Sequence, residues 1–289
     1  MTEHVKKPDW LKIKIGTNQR YTDTKRTVDT HHLHTICSSG RCPNMGECWG
    51  RGTATFMICG DICTRSCKFC NTLTGKPHPL DLNEPLHVAE SIQLMKLHHA
   101  VITSVDRDDL ADLGAAHWAA TIRKVKEMNP EVSIETLIPD FKGRRELIEE
   151  VIAVHPNIIS HNVETVRRLS PLVRSVADYD TSMKVLQIIN EGGVIAKSGI
   201  MVGLGETEEE VEQTMDDLLA HGCQILTIGQ YLQPSRKNYP VYEYVTPEQF
   251  AEYRKVGLSK GFRAVESGPL VRSSYHAEKH MGAVGTVEG

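Results

Sequence analysis

From Thr53 onward, short apolar runs alternate with longer amphipathic stretches along the chain. The short runs predict strands at Thr53–Cys59, His99–Ser104, Val132–Leu137, Asn157–Asn162, Ala196–Val202 and Gln224–Gln230, with a possible further strand at Arg263–Ser267. The longer stretches predict helices at Pro85–His98, Ala111–Met128, Gly143–Val154, Asp180–Gly192, Glu206–Ala220 and Thr246–Lys260, and a short turn or helix at Val163–Leu169. Residues 1 to about 50 show little regular periodicity, so no element is predicted there.

Strand–helix alternation of this kind predicts right-handed βαβ units and a parallel sheet. Six units are too few for a closed eight-fold barrel, so we expect an α/β fold with a partial (β/α)6 TIM-type barrel. We expect three regions, namely an N-terminal extension at 1–50, the barrel at 51–265 and a C-terminal extension at 266–289. Ligands of such sheets gather at the carboxyl ends of the strands, and we look for the site there.

Composition narrows the class of protein without naming a function. The chain has 289 residues, of which 24% are charged and 40% hydrophobic, both ordinary for a globular domain. A net charge of −4 argues against a general nucleic-acid binder. No apolar run approaches the length of a membrane span, and Met1–Lys14 lacks the apolar core of a secretory signal.

The cysteines are the first candidate chemistry. Cys63, Cys67 and Cys70 follow the first predicted strand with the spacing C-x3-C-x2-C, which places them at the barrel mouth. Three thiolates from one loop suit a soft metal or an iron–sulfur cluster, and three ligands leave one position open for chemistry. The alternative is a zinc knuckle or a redox thiol pair, although zinc loops usually show paired C-x2-C units.

A second triplet precedes the first. Cys37, Cys42 and Cys48 have the spacing C-x4-C-x5-C in a segment punctuated by glycine and proline. They would bind a second cluster or contribute to one zinc, and spacing alone does not decide. The clustering of both triplets favours metal binding over disulfides, hence a reducing, cytoplasmic compartment. Cys59 and Cys223 fall in predicted strands and are expected to be buried small hydrophobes.

Several predicted strand ends are polar where a plain core would be apolar. Segments expected to face the mouth are Thr103–Asp109, Glu135–Thr136, Ser160–Glu164 and Gly199–Glu206. The glycines of the last segment permit close approach of a flat adenine or a sugar, but its ending is not that of a phosphate loop. Arg174 is either a bidentate partner for a ligand carboxylate or an ordinary surface arginine.

The first triplet, with Phe69 just before its last cysteine, resembles the signature of the radical S-adenosylmethionine (SAM) enzymes. The two triplets and the tail together resemble one family among them, the lipoyl synthases, and the match covers most of the chain. The matching segments are Lys7–Leu11, both triplets, Phe56–Ile58, Thr103–Asp109, His161–Thr165, Gly199–Thr207 and Arg272–Ala277, the last reading Arg-Ser-Ser-Tyr-His-Ala.

The resemblance implies a specific reaction. Cys63, Cys67 and Cys70 would hold a [4Fe–4S] cluster that cleaves SAM. Cys37, Cys42 and Cys48 would hold an auxiliary [4Fe–4S] cluster, with Ser274 (or alternatively Ser273) as the remaining ligand. Two deoxyadenosyl radicals would each abstract one hydrogen, and the auxiliary cluster would be consumed to place sulfur at carbons 6 and 8 of an octanoyl-lysine. Predicted cofactor contacts are Phe69, Asn71, Ser104, Asn162, Arg174, Met201 and Gly203.

The resemblance also implies partners. The octanoyl group would arrive on lipoyl carrier domains, such as the acyltransferase subunits of 2-oxoacid dehydrogenases and the glycine cleavage carrier protein. Electrons would come from a ferredoxin or flavodoxin, and no nucleic acid or membrane is involved. Acidic carriers would favour a basic rim, for which Arg41, Lys68, Arg236 and Lys237 are candidates.

Two rival functions remain open from the residues. One is a radical SAM enzyme whose second cluster only transfers electrons or anchors substrate. The other is an iron–sulfur or zinc module that senses redox state or carries electrons, which leaves the large strand–helix body unexplained.

Overall fold

The parallel strands follow one another around the fold in chain order. The computed structural model describes residues 7–11, 19–30, 35, 37, 42 and 44–280. The strands within these described residues are β1 Thr53–Ile58, β2 Ile62–Cys63, β3 Leu73–Thr74, β4 His99–Ser104, β5 Ser133–Leu137, β6 Ile158–Ser160, β7 Ile195–Val202, β8 Cys223–Gln230 and β9 Ala264–Gly268. Seven of them form one sheet in the order β1-β4-β5-β6-β7-β8-β9, and every neighbouring pair is parallel.

Helices fill the crossovers between these strands. The helices are α1 Gln19–Thr30, α2 Met45–Gly50, α3 Glu84–Leu94, α4 Ala115–Met128, α5 Arg145–Ile152, α6 Ser170–Val173, α7 Tyr179–Glu191, α8 Glu208–Ala220, α9 Pro247–Lys260 and α10 Ala277–His280, with 3-10 turns at Asp9–Leu11 and Phe141–Gly143. A sheet wound in one direction with β1 and β9 left as its edges is an open, partial barrel. The predicted fold class is therefore confirmed, and the possible further strand is real and becomes the seventh of the barrel, β9.

Local sequence explains the ends of several helices. Thr207 caps α8 by accepting a hydrogen bond from Glu210 N, while the Glu210 side chain accepts one from Thr207 N, a reciprocal capping box. Thr246 likewise accepts a hydrogen bond from Gln249 N at the start of α9, where Pro247 occupies the first turn. Both signals are short-range. The sequence analysis placed the start of α9 at its cap, Thr246, and began α8 two residues early, at Glu206.

The structure has helices within the first 50 residues, where the weak periodicity gave no predicted element. Helix α1 carries mainly polar residues and buries only Thr24 and Val28 among those described, so it has no apolar stripe at helical spacing. Helix α2 is only six residues long and contains Cys48, the last cysteine of the second triplet. The short turn or helix expected at Val163–Leu169 is a turn at residues 167–169, which leads directly into α6 at Ser170–Val173.

The features that position the site lie at the carboxyl end of β1. There the chain makes a small parallel pair, β2 with β3, that brackets the C-x3-C-x2-C loop. In the part of the chain that the structure describes, no helix is long and apolar enough to cross a membrane.

Candidate active site

The thiol of Cys63 sits at the base of the cysteine loop, where backbone N–H groups point at it. Its Sγ accepts hydrogen bonds from Arg65 N at 3.4 Å and Asp106 N at 3.3 Å, and the thiol contacts Asp106 Oδ2 at 3.6 Å. Burial raises the pKa of Cys63 to about 11. N–H donors of this kind stabilise a ligating thiolate once a metal supplies the compensating charge.

Backbone bonds attach the same loop to two neighbouring segments. Lys68 N donates to Val173 O at 2.8 Å, and Lys68 O accepts from Tyr239 N at 2.8 Å. Asn238 Nδ2 donates to Cys70 O at 2.9 Å. The loop is therefore held by the segments after β6 and β8 as well as by its own turn, which fixes the direction of the three thiols.

Arg65, between the first two cysteines, is an unpredicted centre of this region. Its guanidinium is buried and pairs with Asp108 (Nε–Oδ2 2.8 Å) and Asp140 (Nη2–Oδ1 2.8 Å), with Asp106 at 3.3 Å. Burial raises the pKa of Asp140, but the hydrogen bonds and charge of Arg65 outweigh burial and bring that pKa down to about 2. Sequence reasoning could have singled out Arg65 because it is a charged residue between two candidate metal ligands, and three aspartates that could pair with it, Asp106, Asp108 and Asp140, follow later in the chain.

A cavity of about 290 Å³ adjoins the loop and continues to the C-terminal tail. The predicted cofactor contacts Phe69, Asn162 and Met201 line it, together with Arg272 and Ser273 of the tail. Asn162 Oδ1 is buried and has no hydrogen-bond partner among the described residues, so it offers an acceptor to a bound ligand.

One glycine shapes the wall of this cavity. A Cβ on Gly199 would lie 2.5 Å from Thr227 Oγ1 and 2.9 Å from Asn162 Oδ1, distances that no methyl group tolerates. Glycine at this position of β7 therefore leaves room for Asn162, which follows β6, and Thr227 of β8 to lie side by side at the cavity surface.

The remaining predicted cofactor contacts are not among the cavity-lining residues. Asn71 is exposed, and Ser104 accepts a hydrogen bond from Trp118 Nε1 at 3.2 Å. Gly203 adopts a positive φ of 93° and donates its N–H to Glu206 Oε1. Arg174 is buried behind the wall, where Nη1 donates to Ser182 Oγ at 2.7 Å and to Val163 O at 3.3 Å. Their contact with a cofactor stays a prediction.

Two of the polar strand ends do not face the mouth as expected. Glu135 is fully buried inside the barrel, paired with Lys197, and the Thr136 hydroxyl contacts Ile158 O at 3.4 Å. In the segment Thr103–Asp109, Asp106 and Asp108 point at Arg65 instead of a ligand. The physical reason is that a nearby guanidinium outcompetes solvent for these carboxylates.

The second triplet gathers around α2. Cys37 and Cys48 are buried and Cys42 is partly buried, with Cys42 N donating to Cys37 O at 3.0 Å and Thr55 N donating to Cys37 Sγ at 3.4 Å. Burial raises the pKa of all three thiols, and the neighbouring Cys37 and Cys42 raise the pKa of Cys48 further. Desolvated thiols that repel one another as anions match the donor chemistry of a soft, cationic centre.

The tail packs directly on this second region. Asn44 Nδ2 donates to Leu270 O at 2.7 Å, and Glu47 accepts from Tyr275 Oη at 3.0 Å and lies 3.0 Å from His276 Nε2. Ser273 lines the cavity and Ser274 follows it in the turn closed by Tyr275 N and Arg272 O at 2.8 Å. The structure thus places Ser273 at the cavity, with Ser274 next to it in a tail that contacts the second region.

Cys59 and Cys223 lie apart from both triplets. Both are buried, Cys59 immediately after β1 and Cys223 at the start of β8, which confirms the expectation of small buried hydrophobes. Among the described residues, no group of three or more His, Cys, Asp or Glu side chains is arranged around a single metal ion.

Comparison with known proteins gives the family context. A family model described as the radical SAM superfamily matches residues 57–218, more than half of the chain. A protein of Bacteroides thetaiotaomicron named lipoyl synthase is 73% identical over 281 residues, covering 97% of this chain and 100% of the relative. Lipoyl synthases of Phocaeicola vulgatus and Parabacteroides distasonis are 74% and 68% identical, covering 96% and 97% of this chain and 98% and 100% of the relatives.

Solved structures agree at the level of fold. The chain superposes on methylornithine synthase with a TM-score of 0.58 at 13% identity, over 85% of this chain and 75% of that one. It superposes on HydG, a maturase of the [FeFe]-hydrogenase, with a TM-score of 0.53 at 15% identity, over 78% of this chain and 58% of that one. At such identities the likeness concerns the barrel alone.

Proposed function

Because this chain belongs to the lipoyl synthase family of the radical SAM superfamily, we propose that it inserts sulfur at carbons 6 and 8 of an octanoyl group carried on a protein lysine. The observation that supports this function is a single cavity lined both by the first cysteine loop and by the C-terminal tail. Phe69 of the first cysteine loop lines one side, while Arg272 and Ser273 of the tail, packed on the second triplet, line the other.

The donor sets fit the two [4Fe–4S] clusters and SAM that the family uses. Cys63, Cys67 and Cys70 would hold the first cluster, and Cys37, Cys42 and Cys48 the second. When bound, these groups supply the chemistry that side chains lack, namely an electron to cleave SAM and sulfur for the product.

The residues of the chain position the substrate for that chemistry. Asn162 Oδ1 is free to accept from the amine of SAM, with Phe69 and Met201 beside it. An unactivated C–H bond has no acidic proton, so no side chain acts as a general base on it. Ile200, Leu232 and Val271 line the same cavity and would hold an alkyl chain while excluding water.

We propose Ser274 as the non-cysteine ligand of the second cluster, with Ser273 as the alternative. Both lie in the turn that begins at Arg272, which is itself near enough to Cys42 for its charge to lower that thiol's pKa against the effect of burial. A hydroxyl oxygen is a poorer ligand for iron than a thiolate, so it is suited to leave when the cluster gives up sulfur.

The carrier domain is proposed to dock on a basic face beside the first cysteine loop. Lys68, Arg236 and Lys237 are exposed, and Tyr239 N bonds Lys68 O, so the three lie on adjoining segments. The other candidate, Arg41, lies outside the described residues. Neutralising all three should slow docking about tenfold at low salt and hardly at high salt. Equal docking by variant and wild type at low salt would remove this face from the proposal.

A cytoplasmic location and reduction by a ferredoxin or flavodoxin belong to the same proposal. The proposed reaction needs electrons from a soluble donor, and its cysteine ligands must stay reduced. Both requirements are met in a reducing compartment.

The function is tested anaerobically. The protein is reconstituted with iron and sulfide, both are quantified, and SAM, a reductant and an octanoyl-lysine peptide are added. We expect two clusters per chain, 5′-deoxyadenosine and a peptide carrying two sulfurs by mass spectrometry. Deoxyadenosine without sulfur insertion would favour the rival radical SAM enzyme with an electron-transfer cluster, and no deoxyadenosine from intact clusters would overturn both enzyme functions.

A further inference from the structure

A buried ion pair lies inside the barrel, away from the cavity at the mouth. Lys197 on β7 and Glu135 on β5 are both fully buried, with Nζ 2.8 Å from Oε1 and 3.0 Å from Oε2. Ser160 Oγ on β6 donates to the same carboxylate at 2.9 Å. A buried ammonium is tolerated only when hydrogen bonds satisfy its protons, so the remaining N–H groups of Lys197 need acceptors.

One such acceptor comes from the C-terminal tail. His280, the last residue of α10, is 1% exposed, and its Nδ1 lies 3.3 Å from Lys197 Nζ. An ammonium has no lone pair, so Nδ1 must accept the hydrogen bond and the imidazole must be neutral. Burial and the charge of Lys197 lower the pKa of His280 to about 3, in agreement with a neutral ring.

The contact is placed where it can anchor the tail across the open side of the barrel. Between the cavity and His280, the tail contacts both edge strands, since His276 Nδ1 lies 3.5 Å from Glu266 on β9 and Glu278 Oε2 accepts from Thr53 Oγ1 on β1 at 3.3 Å. The tail therefore runs from the mouth, along the gap between β1 and β9, to the interior of the barrel.

The other charged contacts of the tail are weaker anchors. The ion pair of Glu278 with Arg51 is 3.5 Å long and leaves 42% of the arginine side chain exposed. Glu47, which pairs with His276, has 40% of its side chain exposed. Such surface ion pairs contribute little to stability because water competes for both partners. Among the side-chain contacts described for the tail, His280 to Lys197 is the one that is buried at both ends.

We propose that His280 is a positioning residue, which fastens the C-terminal tail to the Lys197–Glu135 pair and thereby holds Ser273 and Ser274 at the cavity. The role of the serines rests on the proposed function, whereas the anchoring of the tail does not. Neither cysteine triplet contributes to this contact, so the tail is fastened independently of the site that it serves.

The direct test is hydrogen exchange of the purified protein before any cluster is reconstituted. In His280→Ala we expect amides of the segment 270–280 to exchange roughly 10- to 100-fold faster, the factor that follows from loss of a hydrogen bond to a charged group. His280→Gln offers Lys197 a carbonyl acceptor and should restore much of the protection. The control Lys279→Ala, in the same helix with an exposed side chain, should match wild type.

A second variant separates anchoring from simple loss of packing. The double substitution Glu135→Gln with Lys197→Met removes the donor to His280 without leaving a charge unpaired. This double variant should speed amide exchange of the segment 270–280 as much as His280→Ala does. Combining it with His280→Ala should speed that exchange hardly any further, because both changes break the same contact. Unchanged exchange of 270–280 in His280→Ala, or fully additive effects, would overturn the proposal.

A functional measurement links the anchor to the reaction. After reconstitution, His280→Ala should keep the wild-type rate of SAM cleavage but give about tenfold less sulfurated peptide per deoxyadenosine, since the radical forms while the tail is displaced. Failure of wild type to sulfurate the peptide would remove the proposed function and leave the exchange result standing. Faster exchange with an unchanged product ratio would refute the role in holding the serines.

Discussion

The two cysteine triplets are held in different ways. The loop from Cys63 to Cys70 is one continuous segment whose backbone is bonded to the segments after β6 and β8 and whose Arg65 is buried among three aspartates. The second site is assembled from pieces far apart in the chain, as in the bond from Asn44 to Leu270 over 226 residues. Two of its tail contacts, from Tyr275 and His276, end on the exposed Glu47.

This difference matches the role that we propose for each site. An electron-donating site must return to the same geometry on every turnover, and a rigid loop ensures that. A site that gives up its sulfur must be taken apart, and surface contacts with an oxygen ligand can separate at small energetic cost. The proposed division of roles therefore predicts a rigid first site and a second site that comes apart more easily.

The largest effect should come from removing one cysteine in each site. Cys67→Ala should abolish deoxyadenosine formation and product together, because the first cluster loses a ligand. Cys42→Ala should keep deoxyadenosine formation within a few-fold of wild type and abolish only the sulfurated product. Iron content and mass spectrometry measure both, and Cys223→Ala serves as the control because that thiol is buried in β8 away from either site. Loss of SAM cleavage in Cys42→Ala would contradict the proposal that the two sites have separate roles.

The proposed serine ligand of the second cluster gives the next test. Ser274→Cys should retain its cluster yet lose sulfur insertion, since a thiolate binds iron more firmly and does not leave. Ser273→Ala is the comparison and should keep turnover close to wild type. The reverse pattern, with product lost in Ser273→Ala and kept in Ser274→Cys, would assign the ligand to Ser273. Unchanged turnover in both variants would count against any serine ligand.

The rigidity of the first loop depends on Arg65. Arg65→Met leaves Asp140, which is 3% exposed, as an unpaired buried carboxylate, and should lower the free energy of unfolding by about 3–5 kcal/mol. Chemical denaturation of the cluster-free protein measures this. Arg144→Met is the matched control, because that arginine pairs with Glu146 at the surface and should change stability by less than about 0.5 kcal/mol. Equal stability of the two variants would show that the aspartate cluster does not stiffen the loop.

The smallest effect is a pH dependence of the same cluster. The pKa of Asp140 is lowered from 3.8 to about 2 on folding, so this carboxylate stabilises the protein above about pH 4 and the contribution is lost as the pH falls towards 2. The contribution is about 2 kcal/mol. Asp140→Asn should therefore show a shallower loss of stability between pH 4 and 2, measured by denaturation at each pH. Parallel curves for variant and wild type would indicate that Arg65 does not perturb Asp140.

Short-range patterns located most of the barrel. The alternation of apolar runs and amphipathic stretches predicted β4 at its observed bounds and β1, β5, β7 and β8 to within one residue at either end. The polar helix α1 was missed because it buries almost nothing on a regular stripe. Arg65 was missed because its importance comes from Asp108 and Asp140, which are remote in sequence.

The sequence by itself determined the architecture, since hydrophobic periodicity is a local property of the chain, and the cysteine spacing, which is equally local, predicts the cluster ligands. Only the tertiary structure decided which polar strand ends face the cavity. Glu135 and Asn162 are both polar residues at predicted strand ends, yet Glu135 pairs with Lys197 inside the barrel and Asn162 lines the cavity, where its Oδ1 has no partner among the described residues. It also decided that the tail fills the open side of the barrel, a contact between residues 83 apart. Long-range pairings of this kind depend on the packed geometry of the whole sheet, which no window of sequence contains.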